Sequence, residues 1–246
     1  MPSDHELAVE LAQQTGQLLL SLQIDSGLTG EELGAAGDRL AHNWIAAALA
    51  EQRPTDALLS EEGVRDAARL DQSRVWVIDP LDGTREYSAG RTDWAVHVCL
   101  AVDGAPEAAA VSTPALGATY ATAQPLALAP GPPDPLRILV SRSRPPEIAV
   151  RVAGALGAEL VPMGSAGAKT VAVLRGQAHA YLHAGGQYEW DSAAPVGVAL
   201  RAGLHACRID GSPLRYNQPD PLLPDLLICR PELADRLLTA IAFAGR

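Results

Sequence analysis

Several marks of common protein classes are missing from this sequence of 246 residues. Its three cysteines are widely separated and form no CxxC pair, so neither a disulfide framework nor a thiolate zinc site is expected. No apolar run approaches the roughly 20 residues that a membrane-spanning helix needs. The amino terminus is acidic where a signal peptide would be basic and then apolar. The sequence therefore predicts a reduced, cytoplasmic protein with no membrane partner.

Positive charge is also scarce. The sequence has 19 Lys and Arg residues against 29 Asp and Glu residues, which gives a net charge of −10. Lys169 is the only lysine. Without a basic face, binding to nucleic acid is not expected. An acidic protein can still bind phosphate esters if metal ions or local amide donors offset the repulsion. Since 48% of the residues are hydrophobic, the chain is long and apolar enough to bury a sizeable core.

Hydrophobic periodicity and turn residues predict a mixed α/β chain in two halves. In the first half, residues 1–123, helices are expected over 4–24 and from about 38 to 53, followed by short strands and a strand meander. Residues 124–135 are rich in Pro, Ala and Gly and are expected to connect the halves. In residues 136–246 predicted strands and helices alternate, which favours a sheet between layers of helices.

Acidic residues gather where the apolar strand predicted over 74–79 ends. Asp79 closes this strand, and a proline turn brings Asp82 back within reach of the same cation. Gly83 and Thr84 follow and can present backbone N–H groups to a phosphate. Paired carboxylates beside such a turn suit hard ions with oxygen ligands, such as Mg²⁺. The alternative is a polar turn in which an Asp caps a helix.

Two further acids are candidates for the same site. Glu61 ends the preceding predicted strand, and neighbouring strands often end at the same edge of a sheet. Because another Glu follows it, Glu61 could equally belong to a solvated surface. Asp191 stands at the start of a helix expected over 192–202, where a helix-capping role would explain it by itself.

Three segments, SEEG, WVIDPLDGT and WDSAAP, occur in this order and resemble the signature segments of the inositol monophosphatase superfamily. The resemblance extends from about Leu7 to about Ile228. Members of this superfamily are Mg²⁺-dependent, lithium-sensitive phosphomonoesterases. The resemblance therefore implies a layered αβαβα sandwich and a cluster of two to three Mg²⁺ ions that hydrolyses a phosphate monoester.

The resemblance also implies a set of metal ligands. Glu61, Asp79 and the carbonyl group of Leu81 would hold the first ion. Asp79, Asp82 and Asp191 would hold the second ion, with Asp79 bridging the two. Glu61 would also contact a weaker third ion.

Roles for the substrate phosphate and the attacking water follow from the same resemblance. Gly83 and Thr84 would contact the phosphate, and Asp38 would pair with the Thr84 hydroxyl to orient the water. The segment before Asp38 departs from the family pattern, since it lacks the usual Thr and upstream Lys. A helix-capping role for Asp38 is therefore an alternative.

Substrate choice is expected to come from the second half. The small-residue turn at 164–169 contains Ser165 and ends in Lys169, and it resembles the CysQ-type bisphosphate nucleotidase branch. Arg142 lies in a second segment similar to that branch. Lys169, Ser165 and Arg142 would then bind the part of the substrate that is not cleaved. A solvated lysine on a helix face is the alternative for Lys169, and a solvated arginine after a strand is the alternative for Arg142.

This branch implies a substrate class and a pathway. The expected reaction removes the 3′-phosphate of adenosine 3′,5′-bisphosphate, or of its sulfated relative, to give AMP or adenylyl sulfate in sulfate assimilation. An inositol or fructose-bisphosphate phosphatase with the same metal cluster is the first alternative, and a non-catalytic sensor of metal or nucleotide is the second. The superfamily also contains homodimers, so a homodimer is possible.

Overall fold

The computed structural model describes residues 2–64, 66–132 and 134–245, and these contain two five-stranded sheets and seven α-helices. The helices are α1 Asp4–Asp25, α2 Gly30–Gln52, α3 Thr84–Ser88, α4 Glu147–Leu156, α5 Ala166–Leu174, α6 Glu189–Arg201 and α7 Ala234–Ala244. The strands are β1 Ala57–Ser60, β2 Arg74–Asp82, β3 Ala95–Val102, β4 Ala105–Thr113, β5 Ala118–Ala121, β6 Arg137–Ser141, β7 Glu159–Met163, β8 Ala180–Ala184, β9 His205–Cys207 and β10 Asp225–Cys229.

The first sheet takes all its strands from residues 57–121. Its strand order is β1-β2-β3-β4-β5, and every neighbouring pair is antiparallel except β1 and β2, which are parallel. The second sheet has the order β7-β6-β8-β10-β9, with β6 parallel to both β7 and β8. The predicted division into 1–123, 124–135 and 136–246 stays a prediction.

Alternate side chains of the first sheet enter two different cores. On β2, Trp76 and Ile78 pack with α1 and α2, whereas Val75 and Val77 face the other way. There they join one buried cluster with residues of α5, α6 and the second sheet.

The far face of the second sheet is covered by α4 and α7. The layers therefore run α1/α2, first sheet, α5/α6, second sheet, α4/α7, and the predicted αβαβα sandwich is confirmed.

The predicted start of the second helix is wrong. A helix was expected from about residue 38, but α2 begins at Gly30 and runs through its glycines. A Cβ atom on Gly34 would lie 2.8 Å from Thr84 Cγ2 and 2.6 Å from Ser88 Oγ, so the missing side chain lets α3 approach. As a result, Asp38 lies inside α2 and cannot cap its start.

Other boundaries differ by a few residues. The strand β2 extends three residues beyond 79, and α6 begins at Glu189 instead of 192. The helix α1 matches the expected range of 4–24 to within one residue and has a capping box at Ser3. Among the described residues, none of the helices combines the length and the apolar character that a membrane span requires.

Two helical glycines differ in what surrounds them, and this difference predicts opposite effects of adding a methyl group. A Cβ atom on Gly197 of α6 would lie 2.9 Å from the Cβ of Ala109 in β4, whereas nothing lies within 4 Å of a Cβ atom on Gly154 of α4. We expect Gly154→Ala to raise the free energy of unfolding by about 0.5–1 kcal/mol. We expect Gly197→Ala to lower it by about 1 kcal/mol or more, because the layers must move apart. Urea denaturation checks both, and equal stabilisation by the two variants would contradict the close packing.

Candidate metal centre and substrate cleft

The centre is built on an irregularity at the end of β2. Asp79 pairs with His97 of β3 and Asp82 pairs with Ala95, so the register shifts between the two acids. Both carboxylates are buried, with exposures of 1% and 7%. The backbone N–H of Leu81 donates to Asp79 Oδ1 over 3.1 Å. The irregular strand end therefore brings two acids that are three residues apart into the interior.

Helix α6 adds a third carboxylate from the middle layer. Each of Asp79, Asp82 and Asp191 offers an oxygen, and these oxygens all lie within 4.8 Å of one another. Asp191 is not the N-cap residue of α6 but its third residue, and its Oδ2 accepts from the backbone N–H of Tyr188 over 2.6 Å. Helix capping and membership of the cluster therefore coexist in one side chain.

The electrostatics of the cluster show an excess of negative charge. Burial, followed by repulsion from Glu61 and the other acids, raises the pKa of Asp79 well above its usual value. Burial and then Asp82 raise the pKa of Asp191 to about 7. Desolvation by the surrounding protein and then Asp191 raise the pKa of Glu61 to about 8, although Glu61 opens onto the cleft. Oxygen ligands with unbalanced charge fit a hard divalent cation.

Asp82 differs from its neighbours because several donors surround it. Its Oδ2 accepts from the Ser165 hydroxyl at very short range and from the backbone N–H of Gly167 over 2.9 Å. The Nε2 atom of His97 lies 3.1 Å from the same oxygen. Although burial acts in the opposite direction, His97 and the other donors lower the pKa of Asp82 to about 2. Asp82 therefore keeps its charge inside the protein.

Asp38 and Thr84 meet at the edge of the cluster. The Thr84 hydroxyl lies 3.1 Å from Asp38 Oδ1 and 3.2 Å from the carbonyl oxygen of Leu81. Burial raises the pKa of Asp38 to about 6, although the bond from Thr84 opposes this shift. Gly83, at the start of α3, has a φ of +94°, which favours glycine. These contacts bring the four sequence candidates Asp38, Leu81, Gly83 and Thr84 together.

Lys169 is buried and does not project into solvent. It is 4% exposed, so the alternative of a solvated lysine is wrong. Its Nζ lies 2.6 Å from the carbonyl oxygen of Ser165 and 3.2 Å from that of Gly164, and 4.9 Å from the centre of the Tyr181 ring. Desolvation lowers its pKa to about 8. Lys169 thus fastens the turn that delivers Ser165 to Asp82.

A cleft of about 290 Å³ opens beside the carboxylates. Its lining includes every substrate-binding candidate named from the sequence, which are Gly83, Thr84, Arg142, Ser165 and Lys169. The guanidinium of Arg142 pairs with Glu86, with Nη2 lying 2.5 Å from Oε1. The cleft therefore has an acidic floor and a wall that carries positive charge.

Sequence reasoning missed His97 and Glu86. Glu86 follows the DGT segment by two residues and could have been noticed as an acid in that turn. His97 offered one signal, a histidine in an otherwise apolar predicted strand. Its place opposite Asp79 depends on the strand register, which the sequence does not reveal.

Comparison with known proteins gives one consistent result. The model of the "Inositol monophosphatase family" matches residues 4–245. A 3′-phosphoadenosine 5′-phosphate phosphatase of Mycobacterium leprae is 51% identical, over 97% of this chain and 93% of that protein. The 3′(2′),5′-bisphosphate nucleotidase CysQ of Escherichia coli K12 is 30% identical, over 76% and 81%.

Solved structures agree on the fold. CysQ from Bacteroides thetaiotaomicron superposes with a TM-score of 0.78 at 26% identity, covering 92% of this chain and 96% of that one. Inositol monophosphatase II from Staphylococcus aureus superposes with a TM-score of 0.81 at 22% identity, covering 96% and 94%.

The double role of Asp191 leads to a test with one isosteric variant. In Asp191→Asn the side-chain oxygen can still accept from Tyr188, but the buried charge is lost. A carboxyl whose pKa is raised on folding destabilises the folded state as pH rises from its unfolded pKa, 3.8, to its folded pKa, about 7. We therefore expect the metal-free variant to become more stable than the parent over this range.

Saturating Mg²⁺ should reverse that order, because the parent binds the ion more tightly. Thermal or urea unfolding with EDTA and with Mg²⁺ measures both effects. If the two proteins respond equally to Mg²⁺ at neutral pH, capping is the only role of Asp191.

Proposed function

Because the chain belongs to the inositol monophosphatase family, we propose that it is a Mg²⁺-dependent phosphatase that removes the 3′-phosphate from adenosine 3′,5′-bisphosphate and from its sulfated relative. The observation that carries this proposal is the cluster of Asp79, Asp82 and Asp191, of which Asp82 and Asp191 line a cleft with a basic wall. The names of the mycobacterial and E. coli relatives support the choice of substrate. The proposed products are AMP and adenylyl sulfate. We propose that the enzyme serves sulfate assimilation and that it acts in the cytoplasm.

The proposed ligands are all oxygen atoms. Glu61, Asp79 and the Leu81 carbonyl would hold one ion, while Asp79, Asp82 and Asp191 would hold another. Glu61 would also contact a weaker third ion. Divalent ions held by these residues would offset the charge of the phosphate ester and make a water beside it more acidic. The raised pKa values of Asp79 and Asp191 support this assignment, because burial, and then repulsion between the acids, penalises their negative charge when no cation is bound.

Asp38 and Thr84 orient the attacking water. When the Thr84 hydroxyl donates to Asp38, its lone pairs are free to accept a hydrogen from a water in the cleft. Asp38 has a pKa of about 6 and is therefore suited to take up a proton near neutral pH. The backbone of Gly83 and Thr84 contacts the phosphate that is cleaved, next to this water.

The basic wall holds the part of the substrate that is not cleaved. Arg142 presents a guanidinium whose geometry suits a phosphate, although Glu86 shares it. Lys169 adds positive charge behind the surface and fixes the Ser165 turn. Such a wall favours a substrate with a second anionic group over a monophosphate. The substrate is a small molecule, and a homodimer stays a prediction.

The choice of substrate is tested by phosphate release with Mg²⁺. The panel is adenosine 3′,5′-bisphosphate, inositol 1-phosphate and fructose 1,6-bisphosphate, each with and without lithium. We expect kcat/KM for the nucleotide to exceed the other two by about a hundredfold, which corresponds to about 2.7 kcal/mol of discrimination. Comparable rates would retain the metal chemistry and remove the nucleotide assignment. Tight nucleotide binding without phosphate release would instead identify a sensor.

The metal assignment is tested by a pair of variants. Asp79→Asn keeps the shape of the bridging side chain and removes its charge, so we expect turnover to fall at least about a thousandfold. Glu62→Gln is the matched control, since Glu62, which follows Glu61 in the sequence, is exposed and does not line the cleft. Its turnover should stay within about twofold of the parent. An Asp79→Asn enzyme within a few-fold of the parent would show that Asp79 does not bridge metal ions.

A further inference from the structure

His97 is a completely buried histidine beside the carboxylate cluster. It lies on β3 directly opposite Asp79, and it shares a face of that strand with Ala95 and Cys99, which pack in the middle layer. None of the motifs that identify the family contains it. Its contacts indicate a purpose other than filling the core.

The ring of His97 connects two elements that supply acids. Its Nε2 lies 3.1 Å from Asp82 Oδ2, at the end of β2. Its Nδ1 lies 3.2 Å from the carbonyl oxygen of Trp190, the residue before Asp191. The Nδ1 contact is a hydrogen bond, whereas Nε2 approaches Asp82 at ion-pair distance without forming a hydrogen bond. Both neighbouring atoms are acceptors, so the two contacts are favourable together when the ring is the doubly protonated imidazolium. A single side chain thus spans the gap between β2 and α6.

The ring also has little freedom to move. A Cβ atom on Gly167 of α5 would lie 2.2 Å from His97 Nε2, so α5 approaches the ring as closely as a glycine permits. The same Gly167 donates its backbone N–H to Asp82. Helix α5, the ring and the carboxylate are therefore packed as one unit.

The contacts of Asp82 all converge on one of its two oxygens. The Ser165 hydroxyl, the Gly167 N–H and His97 Nε2 all approach Oδ2. Among the residues that the structure describes, none donates a hydrogen bond to Oδ1. The two hydrogen bonds from Ser165 and Gly167, together with the charge contact from His97, therefore fix the rotation of the carboxylate and leave Oδ1 for a ligand.

We propose that His97 is a positioning residue, which orients Asp82 through Oδ2 and ties it to the Trp190 carbonyl so that Asp82 and Asp191 keep the separation a divalent cation needs. This inference rests on the metal ligands assigned in the proposed function. Side chains that orient metal ligands in this way typically contribute 10–100-fold to metal affinity. A histidine that only filled space would contribute to stability and leave that affinity unchanged.

The experiment compares Mg²⁺ binding in three variants by isothermal titration calorimetry. We expect His97→Ala to weaken Mg²⁺ binding at least tenfold, and His97→Asn to recover part of the loss because its amide retains a donor. Cys99→Ala is the matched control, since Cys99 is equally buried on the same strand face and, unlike His97, forms no ion pair with Asp82 in the described structure. Its Mg²⁺ affinity should equal that of the parent.

A kinetic measurement separates positioning from substrate binding. The Mg²⁺ concentration for half-maximal activity should rise in His97→Ala in parallel with the dissociation constant. The KM for adenosine 3′,5′-bisphosphate at saturating Mg²⁺ should stay within about twofold of the parent. If His97→Ala and Cys99→Ala lose stability alike and both keep the parent affinity for Mg²⁺, the proposal is wrong.

Two further outcomes are distinguishable. If the parent protein binds no divalent ion, the metal assignment itself fails and the role of His97 fails with it. If the parent binds Mg²⁺ and every His97 variant binds it equally, only the role of His97 fails. Should His97→Ala not fold, NMR of the parent labelled with ¹⁵N-histidine replaces it. The ring nitrogens of His97 should then shift on Mg²⁺ addition, and unchanged resonances would overturn the proposal.

Discussion

The mutual repulsion of buried carboxylates is the constraint on which this structure depends. Asp79, Asp82 and Asp191 come from a strand end and from a helix in another layer, and their oxygens lie within 4.8 Å of one another. Burying such charges without compensation is unfavourable. Part of the surrounding architecture supplies that compensation, and a cation is needed for the rest.

The three acids differ in how many hydrogen-bond donors surround them, and they therefore differ in their roles at the site. Asp82 receives donors from α5 and β3 and stays charged, so it is a fixed point of the site. Asp79 receives one backbone donor, and its charge depends on what binds next to it. One oxygen of Asp191 accepts a hydrogen bond from the backbone N–H of Tyr188 at the start of α6. Asp82, whose negative charge is stabilised by groups of the protein itself, is therefore the rigid ligand.

The sequence predicted the fold class and the main acids because both have local signals. The apolar strand that ends in Asp79 and the turn to Asp82 are adjacent in the chain, and family resemblance supplied the link to Asp191. The start of α2 was missed because its glycines were interpreted as a break. Close packing against Thr84 and Ser88 explains those glycines, and such packing has no local signal. His97 and the burial of Lys169 were missed for the same reason, since both depend on contacts between distant segments.

The position of α5 and α6 between two sheets also has a consequence for how the sequence can change. Every residue of α5, and α6 from Ser192 to Ala199, is buried, so these helices have almost no face on which a larger side chain could be accommodated. The outer helices α4 and α7 each have a solvent face. Sequence drift is therefore expected to accumulate in the outer layers. A family built on this plan can vary its surface widely while the helices that carry the metal-site residues change slowly.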